Sequence, residues 1–557
     1  MKYIVIGAVA GGASAAARLR RLDEQAEIIL FEKGEYISYA NCGLPYYIGN
    51  VIKERDKLFV QTANSFTARF NIDVRIKTEV MSINKEKKEV TAFDHLTKME
   101  YTETYDKLVL SPGADPVRPP LPGINTEGIF TMRNVADTDF IKQYIDKRKA
   151  GKAVVVGGGF IGIEMAENLV HLGLQVSIIE MGNQILSPVD FPMAAIIQQH
   201  MRSKGIDLRL STSVAGFEKT DDQLKVLLGN NKSIDADIVI LSIGVKPDTR
   251  LALSAGLQLG SAKGIWVNEY LQTSDPAIYA VGDAIEYPNP ISGQSMNTYL
   301  AGPANKQGRI CANNIVMGNT EKYTGSINTA IVKVFDMTIA TAGMASKHLS
   351  VAKIQHKVST THSSSHASYY PGSHQLHIQI VFSPTDGRLL GAQIAGYEGV
   401  DKRIEMLSSL IKRNSTIYEL MEIEHAYAPP FSSAKDPVNM AGFVAANIIQ
   451  HNMTPFYWDE LEQLSVDGQL IDVRTDQEYK SGTIPNAINI PLDSMRANLN
   501  QFSKDKNIYL FCGIGQRAYM AQRILNQNGF NNVFNLSGGY TTYRNCSLEK
   551  AQLMTSL

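Results

Sequence analysis

The sequence predicts an α/β protein of several domains. Three observations predict it. A strand, a glycine-rich turn and a helix follow one another at the start of the chain. The same succession returns 150 residues later, from Gly7 to Gly157, and a separate short α/β pattern fills the last hundred residues. A length of 557 residues has room for about three or four domains. With 44% hydrophobic and 20% charged residues the composition is that of an ordinary globular chain. A formal net charge of −1 gives no global argument for a nucleic acid or an anionic membrane as partner. Four cysteines, at 42, 311, 512 and 546, are too few and too scattered for a disulfide framework or a zinc site. No apolar run approaches the ~20 residues needed to span a bilayer. The opening Met1-Lys-Tyr-Ile-Val-Ile-Gly7 lacks the cleavage pattern of a secretory leader, so a reducing cytoplasm is expected.

The elements follow in order. Lys2–Ile6 reads as a buried strand, Gly7-Ala-Val-Ala-Gly11-Gly12 as a tight turn, and the alanine-rich stretch beyond as a helix leading to the strand Glu27–Glu32. This is a dinucleotide-binding unit: the turn lets backbone approach a pyrophosphate, and the helix N-terminus points at it. Glu32, twenty residues past Gly12, is placed for a ribose hydroxyl. Val9 stands where the middle glycine is usual. The second copy is complete, with Gly157, Gly159 and Gly162 after the strand Ala153–Val156, and the acid Glu180 eighteen residues on. Glu180 repels a 2′-phosphate, which favours NADH, with NADPH as the alternative. Two Rossmann-like domains therefore suggest a flavin site and a nicotinamide site, and Asp283, in the strand end Ala280-Val-Gly-Asp283, is a candidate for the ribityl or pyrophosphate part of FAD.

Between the units lies Ser38-Tyr-Ala-Asn41-Cys42-Gly-Leu-Pro45. Gly43 and Pro45 place the thiol at the start of a helix or tight turn, and a helix N-terminus favours thiolate. The next cysteine is Cys311, so the oxidised form of Cys42 is a sulfenic acid, a persulfide or a disulfide with a small thiol. The alternative is a buried structural cysteine.

These motifs resemble the pyridine nucleotide-disulfide oxidoreductase family over about 450 residues. The resemblance implies a discontinuous FAD domain at 1–112 and 245–323, an NAD(P)H domain at 113–244 and an α+β dimerisation domain at 324–450. Ser111-Pro-Gly113 and Gly244–Pro247 would be the crossings, and Gly113 a cofactor contact. Within the family the lone Asn41-Cys42 is most similar to coenzyme A disulfide reductases and their persulfide-reducing relatives. NADH oxidases and peroxidases usually carry a histidine in the first turn, where this chain has Ala10.

Coenzyme A as substrate needs cations for its phosphates. Ser14, Arg18 and Arg21 share one face of the first helix, although a merely solvated basic patch is the alternative, since Arg20 and Arg21 cannot point the same way. By resemblance Ser38, Asn41, Arg69 and Lys435 join the coenzyme A contacts. The resemblance also implies a homodimer in which Tyr369 and Tyr427 reach the other subunit's site, with Tyr370 an alternative to Tyr369. Packing beside prolines is the bland reading of these tyrosines. His362, His366, His374 and His377 lack a cysteine or carboxylate cluster at ligand spacing, so no metal is expected.

After the linker His451–Pro455 a domain at 456–557 begins. Asp472-Val-Arg474, Ile484-Pro-Asn-Ala-Ile-Asn-Ile-Pro491 and Cys512-Gly-Ile-Gly-Gln-Arg517 resemble a rhodanese domain, with Thr483 where a histidine is usual. Backbone N–H groups converging on Cys512 at a helix N-terminus would stabilise an anionic thiolate or persulfide, and Arg517 closes the loop. A docking module is the alternative. Together these features lead us to expect a flavin-dependent, NADH-using reductase of coenzyme A persulfide, polysulfide or disulfide, fused to a sulfurtransferase. Coenzyme A disulfide reduction alone, NADH oxidase or peroxidase activity, and a redox sensor are the rivals.

Overall fold

The computed structural model describes residues 1–220, 223–464 and 468–556. The chain forms two compact units, one of Met1–Ile179 with Thr212–Asn328, the other of Glu180–Ser211 with Thr329–Leu557.

In the first unit a five-stranded parallel sheet runs in the order Ile278–Ala280, Lys107–Leu110, Lys2–Ile6, Glu27–Phe31, Asp73–Arg75. Ile4 pairs with both Ile29 and Leu108, so the central strand is covered on both edges. Its residues Ile4 and Val5 are fully buried, as expected of a strand packed on both faces. The helices Ala10–Leu22 and Ala301–Met317 pack against one another. Their contact is close because Gly308 meets the backbone around Gly11 and Ala15. A second parallel sheet orders Gln175–Ile179, Lys152–Val156, Ile238–Leu241, Ile129–Thr131. Both sheets carry their glycine turns at the carboxyl ends of a central strand, where open α/β sheets bind ligands.

The second unit holds two more sheets. One is antiparallel, in the order Ala330–Val334, Met337–Gly343, Leu389–Gly396, Gln375–Phe382, Lys357–Ser364. The other is parallel, in the order Pro455–Phe456, Val533–Leu536, Ile508–Phe511, Gln469–Asp472, Ile488–Asn489. The helix Phe191–Ser203 lies against the helix Gly539–Ser556, where Gln198 donates to Glu549 at 2.8 Å. Among the described residues no helix is long and apolar enough to cross a membrane.

Candidate functional site

The first glycine turn opens onto a cavity of about 580 Å³ within the first unit. Its construction depends on close backbone approach. A Cβ at Gly12 would lie 1.8 Å from the Gly7 carbonyl oxygen, so any side chain there would push the helix off the turn. The helix that follows has no side-chain cap, and Val9, Ala10 and Gly11 line the cavity, so its free N–H groups face the space. Glu32 accepts from the Ala8 and Gly34 N–H groups at 3.0 and 2.7 Å, which fixes its carboxylate on the wall. Ser111, Gly113, Arg133 and Asp283 complete other walls. Burial pushes the Asp283 carboxyl up to about 6, against the pull of the Arg133 guanidinium. A helix end without a cap, a fixed carboxylate and a half-buried acid on one cavity fit the pyrophosphate, ribose and sugar-alcohol parts of a flavin dinucleotide.

The second turn repeats this construction. A Cβ at Gly162 would meet the Gly157 carbonyl at 2.1 Å, whereas nothing lies within 4 Å of one at Gly159. Gly159 is thus free of packing demands from the protein, and its missing side chain leaves room for a ligand at the uncapped start of the helix Phe160–His171. In the second unit the Glu180 carboxylate accepts from the Gly182 N–H at 2.7 Å.

Cys42 lies on the wall of the same cavity as Glu32 and Asp283. It occupies a single 3₁₀ turn, Asn41–Gly43, ahead of the short helix Leu44–Ile48. Desolvation, then the carboxylates of Glu164 and Asp283, push its thiol up. This is the opposite direction to the thiolate expected from the helix N-terminus. A five-residue helix offers little dipole, and desolvation together with two carboxylates outweighs it. Glu164 escaped the sequence reading, as did Tyr46, whose hydroxyl donates to it at 3.2 Å. Burial raises the Glu164 carboxyl to about 7. The one available signal was a carboxylate inside the apolar run Phe160-Ile-Gly-Ile-Glu164-Met-Ala.

On the first helix, Ser14 donates to Asn305 and Arg18 to Asn313 at 2.8 Å, while Arg21 is exposed. Arg20 resolves the rivalry between the adjacent arginines. It is buried and bonds the carbonyls of Phe70, Asp23, Glu24, Ala26 and Asn71, a structural clamp. Ser38 adopts a left-handed φ of 45° and bonds the Ala8 carbonyl through its N–H. Asn41 lines the cavity, and Arg69 stands exposed in the last turn of the helix Ala63–Phe70.

In the second unit the Tyr369 and Tyr427 hydroxyls are 2.9 Å apart, and both side chains are exposed. Tyr370 is exposed as well, and its ring lies 5.7 Å from that of His366. Lys435 is exposed beside Asp436, which is buried in an ion pair with Arg403. Only two of the four histidines meet. His362 Nδ1 meets His377 Nδ1 at 2.7 Å, His366 bonds the Ala367 carbonyl, and His374 packs on Tyr397. Among the described residues no group of three or more His, Cys, Asp or Glu could hold a metal ion.

Cys512 follows the strand Ile508–Phe511 and is 1% exposed. The Gly515 N–H donates to its sulfur at 3.2 Å, with Gly515 at φ 96° making the turn into the helix Gln516–Gln527. The Arg517 guanidinium is paired with Glu478. Thr483, in the position that departs from the usual histidine, donates to Asp472 at 2.8 Å.

A doubled dinucleotide scaffold with one thiol on its cavity wall, continued into a domain with a cysteine loop, defines a flavoprotein thiol reductase joined to a sulfur-handling domain. The chain belongs to the pyridine nucleotide-disulphide oxidoreductase family, whose sequence model matches residues 1–307. The dimerisation-domain model of the same family matches 329–437, and the rhodanese-like domain model matches 457–546. The chain is 37% identical over 447 residues to a coenzyme A disulfide reductase of Staphylococcus haemolyticus, covering 80% of this chain and all of that one. It is similar in structure to reduced CoADR-RHD of Bacillus anthracis, with a TM-score of 0.96 and 46% identity over 98% of both chains. It is also similar to an NAD-dependent persulfide reductase from A. fulgidus, with a TM-score of 0.91 and 36% identity over 98% of this chain and 100% of that one.

Proposed function

We propose that this protein uses NADH to reduce coenzyme A persulfide and coenzyme A disulfide through Cys42, and that Cys512 serves a coupled sulfurtransferase. The observation that carries the reading is the position of Cys42 on the same cavity wall as the glycine turn, Glu32 and Asp283. Gly7, Gly11, Gly12, Glu32, Gly113 and Asp283 would hold FAD; Gly157, Gly159, Gly162 and Glu180 would hold NADH, with the carboxylate of Glu180 disfavouring NADPH. When bound, the two cofactors supply the electron pair that returns an oxidised Cys42 to the thiol.

The chain's own chemistry begins at Cys42. Its thiolate attacks one sulfur of coenzyme A disulfide, a Cys42–S–S–coenzyme A bond forms, and the second coenzyme A leaves as thiolate with the electron pair of the broken bond. With the persulfide, attack at the carbon-bearing sulfur gives the same mixed disulfide and expels hydrosulfide. Ser14, Arg18, Arg21, Ser38, Asn41, Arg69 and Lys435 would hold the coenzyme A, the cations facing its phosphates. In a homodimer, Tyr369 and Tyr427 from the other copy would donate hydrogen bonds to the departing thiolate. Their mutual 2.9 Å contact supports a paired donor. Four free cysteines suit a reducing cytoplasm, where we place the reaction.

The test is anaerobic stopped-flow with NADH against each substrate. Turnover of coenzyme A persulfide by Cys42→Ser at the wild-type rate would refute the assignment. The ratio of kcat/KM for persulfide and disulfide then ranks the two substrates.

A further inference from the structure

We propose that Glu478 sets the donor specificity of the Cys512 loop: by pairing with Arg517 it cancels the loop's cation and turns the site from dianionic sulfur donors toward organic persulfides. This deepens the sulfurtransferase reading above and rests on Cys512 being the sulfur acceptor.

The segment Cys512–Arg517 contains one charged side chain, Arg517. Its two terminal nitrogens donate to the two carboxylate oxygens of Glu478, at 2.7 and 2.6 Å. That bidentate arrangement occupies the fork with which an arginine would grip sulfonate oxygens. Glu478 is in turn held at the start of the helix Asp476–Lys480, where it accepts from the N–H and hydroxyl of Thr475, both at 3.0 Å. The pair is therefore built by the local fold and does not depend on a chance encounter of two long side chains. The nearby Arg474 is committed as well, bonded to Asp472 and the Gly482 carbonyl. At Cys512 itself the Gly515 N–H donates to the sulfur at 3.2 Å, and the Arg517 guanidinium, its charge shared with Glu478, also faces that sulfur.

The chemistry distinguishes two donor classes. With an alkyl persulfide, the Cys512 thiolate attacks the outer sulfur. A bond from Cys512 to that sulfur forms, the donor's S–S bond breaks, and the donor leaves as a thiolate with the electron pair. With thiosulfate the same attack expels sulfite. A thiolate and a dianion must then meet beside a cation whose charge Glu478 already offsets, so part of the Coulomb cost falls on the transition state.

The experiment measures sulfur added to Cys512 by intact-protein mass, in the full-length protein without NADH. Cysteine persulfide and thiosulfate are the two donors. The variant Glu478→Gln keeps a side chain that can reach the Thr475 N–H and so preserves the capping box. It is expected to raise the rate with thiosulfate relative to persulfide by about tenfold, a gain that added salt reduces. Adding Arg517→Gln is expected to remove the gain. Glu478→Asp, which draws the carboxylate back by one carbon, is expected to shift the ratio the same way by a smaller factor. An unchanged ratio in Glu478→Gln and Glu478→Asp, with persulfide still loading Cys512, overturns the role of Glu478 alone. Loading of Cys512 by neither donor in the wild type overturns the acceptor reading, and this inference falls with it.

Discussion

Cys42 and Cys512 are both placed for sulfur chemistry, but their surroundings differ in kind. Cys42 stands on the wall of a wide cavity, where desolvation and then the carboxylates of Glu164 and Asp283 push its thiol up. Cys512 is closed off from solvent, receives a backbone N–H on its sulfur and heads a twelve-residue helix. The contrast shows that the two sites divide the work of activation differently. At Cys512 the loop's own residues, the Gly515 N–H and the Arg517 side chain, supply the polar environment. At Cys42 the protein alone disfavours the thiolate, so activation must come from what binds beside it.

The largest expected effect breaks the comparison outright. Cys42→Ser is expected to lower NADH-dependent reduction of coenzyme A disulfide by about 10³-fold or more, while sulfur loading at Cys512 continues. Stopped-flow and intact mass read the two activities separately. Loss of both would mean that the sites are not independent.

The glycine turns give the next effect. Gly12→Ala forces a Cβ to 1.8 Å from a carbonyl oxygen and is expected to cost most of the bound flavin, read from absorbance at equal protein. Gly159→Ala meets nothing within 4 Å, so flavin content and melting temperature should hold while KM for NADH rises about tenfold. Equal damage from both variants would show that the open space at Gly159 is not a ligand's place.

A smaller effect is expected at the tyrosine pair. Tyr427→Phe removes one of two hydroxyls 2.9 Å apart and is expected to lower kcat for the disulfide by about tenfold. Tyr370→Phe, whose ring packs on His366, should change it little.

The smallest effect sharpens the account of Cys42. Glu164→Gln removes a carboxylate that raises the thiol, so the midpoint of Cys42 alkylation with pH is expected to fall by about one unit or less. The same variant tests stability. The folded-state Glu164 carboxyl, at about 7, lies above its ordinary value of 4.5. Its protonated form therefore favours the fold below 4.5, and that contribution is lost as pH rises through 7. Glu164→Gln is expected to melt about 2–4 °C above wild type at pH 8 and to lose that advantage towards pH 5.

Much of the frame was legible along the chain. The two glycine turns, Glu32, Asn41-Cys42 and the Cys512–Arg517 loop are local patterns, and family membership and fold class follow from them. The charge settings were not legible. Glu164 meets Tyr46 across 118 residues, and Glu478 meets Arg517 across 39. Neither Ser14-x3-Arg18 nor the doublet Arg20-Arg21 said which arginine would be buried; the five carbonyls around Arg20 decided that. The four histidines had the same ambiguity, and only the strand register that pairs His362 with His377 set two of them against each other.

The sequence by itself determined where backbone turns and helices begin, because those depend on the steric freedom of glycine and on hydrogen bonds between neighbours a few residues apart. Only the tertiary structure decided how the Cys42 sulfur is tuned and which carboxylate meets the cation of the Cys512 loop. Coulomb and desolvation effects depend on distance through space: Glu164 and Asp283 reach Cys42, and Glu478 reaches Arg517, from distant stretches of chain.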